Sequence, residues 1–114
     1  MPDERQLGLL RDILDSALAV RSYMAGISRE QFLANPEKQD AVLRRLEIIG
    51  EAAGRLSPET RALFPNLPFR AMRGMRNVIV HDYGAVDVEQ VWITAIGSMD
   101  ALINTLTPHV TPED

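Results

Sequence analysis

The sequence predicts an all-α fold, an antiparallel four-helix bundle with short extra helices, on three observations. Apolar residues recur at three- to four-residue steps through four long segments, the period that lines one face of a helix. Helix-start signatures stand before several segments, and no stretch sustains the two-residue alternation of a half-buried strand. At 114 residues the chain matches one domain spanning 1–114, long enough to bury one core and too short for two.

Taken in order, Leu7, Leu10, Leu14, Leu18 and Met24 mark a first long amphipathic helix from Glu4 to about Ala25. Gly26 interrupts it, and Ser28 with Gln31 has the capping-box spacing, in which each residue satisfies a free amide of a first turn. A short helical turn through Phe32 follows. Asn35-Pro36-Glu37 reads as an N-cap, a proline at the first helical position and an acid matched to the helix dipole. The second long helix starts there, with Val42, Leu46, Ile49, Ala53 and Leu56 on its apolar face. Its Gly50, Ala52 and Gly54 let another helix approach closely.

Ser57-Pro58 caps a short piece up to Phe64, and Pro65, Asn66 and Pro68 punctuate a connection. Phe69, Met72, Met75 and Ile79 carry a third long helix to about His81, with Gly84 tolerant of the positive φ that ends helices. Asp87 with Gln90 repeats the capping-box pattern. Val91, Ala95, Met99, Leu102 and Leu106 then define a last helix closed by Pro108, and residues 107–114 are expected to be a loose tail.

Composition narrows the function. No apolar run approaches the roughly 20 residues that span a bilayer. The start Met1-Pro2-Asp3-Glu4-Arg5 lacks the pattern of a secretion signal, and cysteine is absent, so a cytoplasmic location is expected. A net charge of −4 argues against a uniformly positive nucleic-acid surface, leaving any RNA contact local. With only His81 and His109 as histidines and no cysteine, no metal-ligand spacing is readable. An enzyme working without metal or cofactor is expected.

Residues 70–83 form the chemically dense stretch, bringing Arg70, Arg73, Arg76, Asn77, His81 and Tyr83 to one helix and its end. At about 100° per residue, Arg70, Arg73 and either Arg76 or Asn77 share a stripe, a cationic ridge with a histidine at its end. His81 lies about 140° round from Arg76 on a regular helix, so the two converge through arginine's reach or through a changed backbone near Tyr83. Metal-free RNA cleavage needs a base of near-neutral pKa for the 2′-hydroxyl proton and a cation for the phosphorane-like transition state. His81 suits the first role and Arg76 the second. Asn77 could orient either group or bond a phosphate oxygen, and Tyr83 could bind phosphate or stack on a base. One histidine per chain makes a homodimer with two Arg76/His81 sets in one cleft attractive.

Arg76-Asn77-x3-His81-x-Tyr83 matches the R-x4-H-x-Y signature of the HepT-like toxins of the HEPN superfamily (DUF86), including the polar residue after the arginine. Arg45-Leu46-Glu47-Ile48-Ile49-Gly50-Glu51-Ala52-Ala53 resembles that family's second helix, and Met75 through Trp92 looks like its C-terminal half. The resemblance implies an all-α bundle, a dimer with a composite cleft, and endoribonucleolytic cleavage of cellular RNA by Arg76 and His81. It also implies the toxin role in a type VII toxin–antitoxin system. The partner would be a minimal nucleotidyltransferase antitoxin (MntA-like) that transfers AMP to the motif tyrosine, here Tyr83.

Plainer readings stand beside these. A histidine near a helix C-terminus also complements the dipole, and exposed arginines such as Arg70 and Arg73 are often a solvated face, although Arg73 is a candidate RNA contact. Glu47 and Glu51 read as partners of Arg44, Arg45 or Arg55, and Glu51 could pair with a motif arginine across the bundle. Trp92 reads as core or interface packing, the methionines as core filler and His109 as inert. Two competing functions remain: a catalytically idle subunit that recruits RNA or nucleotide for a partner, and a structural dimer whose basic ridge docks an acidic protein.

Overall fold

The computed structural model describes residues 2–78 and 87–111, with backbone alone for residues 76–78. Every regular element among the described residues is helical: α1 (Glu4–Met24), α2 (Arg29–Leu33), α3 (Pro36–Arg55), α4 (Pro58–Ala62), α5 (Phe69–Val78), α6 (Val88–Gly97) and α7 (Met99–Leu106). None is long and apolar enough to cross a membrane.

Local chemistry sets most of the starts. The Asp3 carboxylate accepts from the Gln6 amide at 2.9 Å, and Asn35 Oδ1 accepts from the Lys38 amide at 3.0 Å ahead of Pro36. The Ser28–Gln31 capping box closes in both directions, at 3.1 Å onto Ser28 Oγ and 2.8 Å onto Gln31 Oε1. Ser57 Oγ accepts from the Thr60 amide at 3.1 Å, and Asp87 from the Gln90 amide at 3.1 Å. Each such cap satisfies an amide that a helix start otherwise leaves open, a contribution of about 1 kcal/mol. Gly26 sits at φ 73° between α1 and α2, in the left-handed region where a side chain would be strained.

α1 packs on α3, α3 on α5, and α7 on α1. The α3 face is as expected: Val42, Leu46, Ile49 and Ala53 are wholly buried and Leu56 nearly so. The α1 face is rotated from expectation. Its buried line is Leu10, Ile13, Leu14, Ala17, Val20 and Met24, while Leu7 and Leu18 are only half-buried. α1 is apolar round much of its circumference, and α3 and α7 decide which side is closed. Full burial of each such aliphatic side chain contributes roughly 1.5–3 kcal/mol before conformational entropy opposes it.

Two further expectations change. The last helix is divided at Ser98, where φ −118° breaks the run after Gly97, although the Ser98 amide still reaches the Thr94 carbonyl at 3.2 Å. A Gly-Ser pair is a common bending point, and Val91, Ala95, Met99, Leu102 and Leu106 stay in register as buried residues across it. The stretch expected to be loose is held through residue 111. Val110 is buried, its amide bonds the Leu106 carbonyl at 3.0 Å, and Arg11 Nε donates to the Thr111 carbonyl at 3.0 Å. His109 stacks edge-on against Phe64 with ring centroids 5.1 Å apart. Residues 112–114 lie outside the described part.

Candidate functional site

α5 carries the dense stretch into place. Met72 and Met75 are buried and anchor one side of this helix against α3, which leaves Arg70 and Arg73 exposed on the other. Between α3 and α5 opens a groove of about 900 Å³ lined by Gly50, Glu51, Gly54, Arg55, Arg70, Arg73 and Gly74. α5 has no acidic residue in its first turn, so the positive end of its dipole is not neutralised from within the helix.

The glycines keep this groove open without being demanded by the fold. A Cβ added at Gly74 meets no atom within 4 Å, and one at Gly54 would meet Arg73 Nε at an ordinary 3.8 Å. Neither glycine has a positive φ. A mid-helix glycine costs about 0.5–1 kcal/mol relative to alanine, so packing and backbone geometry both leave these two unexplained.

Of the residues singled out by sequence, Arg73 stands on the groove wall. Arg76 and Asn77 occupy the next turn of α5, three and four positions on, with side chains outside the described part. His81 and Tyr83 lie outside the described residues, as does Gly84 with the expected helix stop. α6 starts five residues beyond Tyr83 in sequence, and Arg29 holds that start in place: its Nε and Nη2 donate to Glu89 Oε1 and Oε2 at 2.8 and 2.7 Å. Trp92 is half-buried against the core, its ring 5.7 Å from that of Phe32.

The acids divide as well. Glu47 accepts from Arg44 at 2.8 Å, the expected surface pair. Glu51 shares the groove with Arg55, Arg70 and Arg73, yet among the described residues it forms no ion pair with any of them. Arg55 is the groove residue that sequence reasoning placed elsewhere, as an ion-pair partner. Its four-residue spacing from Glu51 favours such a pair, and only the fold shows that the side chain turns to the groove. No group of three or more His, Cys, Asp or Glu side chains gathers among the described residues to hold a metal ion.

Among the described residues every regular element is helical, and the arginine-lined groove lies on α5, the helix that leads into the R-x4-H-x-Y stretch of the sequence, an arrangement in keeping with the HEPN class of helical domain. Residues 13–108 match the family described as "Ribonuclease HepT-like", and the chain belongs to that family. Among its relatives, the Methanocaldococcus jannaschii protein named as candidate RNase MJ1380 is 40% identical over 83 residues, 73% of this chain and 76% of the relative. Candidate RNase MJ1216 of the same organism is 35% identical over 95 residues, 83% and 78% of the two chains. "Probable ribonuclease HepT" of Thermococcus cleftensis is 38% identical over 85 residues, 75% and 77%. No solved structure matches the chain.

Proposed function

We propose that the protein is a metal-independent endoribonuclease acting on cellular RNA, the toxin of a type VII toxin–antitoxin system. The observation that supports this reading is that the family match covers residues 13–108, a range that contains Arg76, His81 and Tyr83. The names of the relatives, RNases in each case, support the same activity.

In the reaction His81 takes the 2′-hydroxyl proton, the 2′-oxygen attacks the neighbouring phosphorus, and the P–O5′ bond breaks to leave a 2′,3′-cyclic phosphate and a 5′-hydroxyl. Arg76 stabilises the extra negative charge on the phosphoryl oxygens as it develops. Asn77 orients these groups, and Arg73 holds RNA nearby. The leaving oxygen needs a proton, and a homodimer of antiparallel four-helix bundles supplies it from the second His81 of a shared cleft. Regulation comes through Tyr83. Its oxygen attacks the α-phosphorus of ATP on the nucleotidyltransferase antitoxin, pyrophosphate leaves, and the resulting AMP ester fills the cleft and offsets the arginine charge.

The test is cleavage of total RNA in EDTA by wild type and His81→Ala at matched dimer content. Cleavage by wild type alone, ending in cyclic phosphates, is expected. An AMP-free wild type that binds RNA and leaves it intact would overturn the reading in favour of an idle binding subunit.

A further inference from the structure

The groove between α3 and α5 is built as a receptor for anions. Arg55 comes to it from α3, and Arg70 and Arg73 from α5. Among the described residues none of the three is engaged in an ion pair, and Glu51 is the single carboxylate on the wall. In a chain of net charge −4, this is a concentrated local excess of positive charge. The floor is glycine on both sides, at Gly50, Gly54 and Gly74, so an extended ligand can lie against helix backbone. A volume of about 900 Å³ exceeds what one phosphate fills.

We propose that this groove binds the sugar–phosphate backbone of single-stranded RNA beside the point of cleavage, with Arg55, Arg70 and Arg73 each neutralising backbone charge. The inference rests on the ribonuclease reading and extends it to how the strand is held. Arg70, Arg73 and Arg76 follow one another at three-residue steps, so Arg70 stands about 9 Å along the α5 axis from the catalytic arginine. A strand entering past Arg70 and Arg73 is thereby delivered to Arg76. Contacts of this kind hold and align the strand without reading its bases, and several planar guanidiniums suit phosphate oxygens. Glu51 opposes the backbone charge and keeps the grip weak enough for the cut strand to leave.

The experiment uses the full chain and a fluorescein-labelled 2′-O-methyl oligonucleotide, which lacks the attacking hydroxyl and is not cut. Fluorescence anisotropy across a salt series gives both affinity and charge release. Wild type is expected to bind at low salt and to lose affinity steadily as salt rises. The triple variant Arg55→Gln, Arg70→Gln, Arg73→Gln should bind at least ten-fold more weakly, with its salt slope reduced by about two, since each single-strand phosphate contact contributes roughly 0.7. Gly74→Glu, which sends a carboxylate into open space in the groove, should weaken binding similarly while melting no lower than wild type. Glu51→Gln should tighten it a few-fold.

Wild-type affinity and slope in the triple variant and in Gly74→Glu would overturn the groove, whatever the RNA cleavage assay shows. Failure of wild type to bind the oligonucleotide at low salt would overturn it too. Binding lost in the triple variant alongside unimpaired cleavage by His81→Ala would uphold the groove and sink the assignment of His81.

Discussion

Arg29 and Glu89, 60 positions apart, meet as two parallel hydrogen bonds of 2.8 and 2.7 Å, joining the first turn of α2 to the first turn of α6. Both side chains are about half exposed, at 47% and 46%, so water screens the pair and its contribution stays near 0.5–1 kcal/mol. Arg29→Ala and Glu89→Ala should each lower Tm by about 2–4 °C, with the double variant no worse than either single. Additive losses in that cycle, or a difference that persists in 1 M salt, would show that the fork does not act as a pair.

Ser16 presents a different case. Its hydroxyl is buried in α1 and has no hydrogen-bond partner among the described residues. An unpaired buried hydroxyl costs folding energy, and alanine is the better helix former. Ser16→Ala is expected to raise stability by about 1 kcal/mol, read as an upward shift in the urea midpoint at unchanged m-value. A lower midpoint would mean the hydroxyl is satisfied in solution.

Phe32 is fully buried and lies against Trp92, the chain's single tryptophan. Truncation to alanine should cost about 3–5 kcal/mol. The milder Phe32→Leu should remain folded and report through Trp92, whose emission moves to longer wavelength as solvent reaches the ring. Unchanged emission from a destabilised variant would separate the two side chains.

Gly74→Ala adds a methyl group where nothing stands within 4 Å. The helix should gain about 0.5–1 kcal/mol, a rise of about 2–4 °C in Tm. A drop would place an obstacle in that space.

For Tyr83 the readout is mass. Incubation with the cognate nucleotidyltransferase and ATP should add one AMP to wild type and none to Tyr83→Phe, with loss of RNA cleavage in proportion to the modified fraction. Equal labelling of both proteins would put the modification at another residue.

What could be read from sequence was what neighbouring residues decide among themselves. Asn35-Pro36-Glu37 and Ser28-x2-Gln31 place their helices because cap and amide lie within one turn. The face that α1 buries could not be read this way, because Leu7 and Leu18 are as apolar as Ile13 and Ala17, and only α3 and α7 select between them. Residues 107–111 look like a tail until Arg11 and Phe64 are brought to them. At the site, the R-x4-H-x-Y spacing points to a chemistry by resemblance, and the fold adds the groove on α5, the helix that leads into that stretch. Arg55 was hidden for a physical reason: a helix with glutamate and arginine four apart offers an ion pair, and tertiary packing decides whether that pair forms.

The packing of α7 on α1 has a consequence for how the molecule is made. A ribosome delivers α1 well before α7, so the side of α1 that α7 will cover stays in water while about eighty further residues are added. The first helix is finished early and sealed late. Premature stops upstream of Met99 therefore yield chains that display this apolar surface permanently, making them clients for chaperones and proteases.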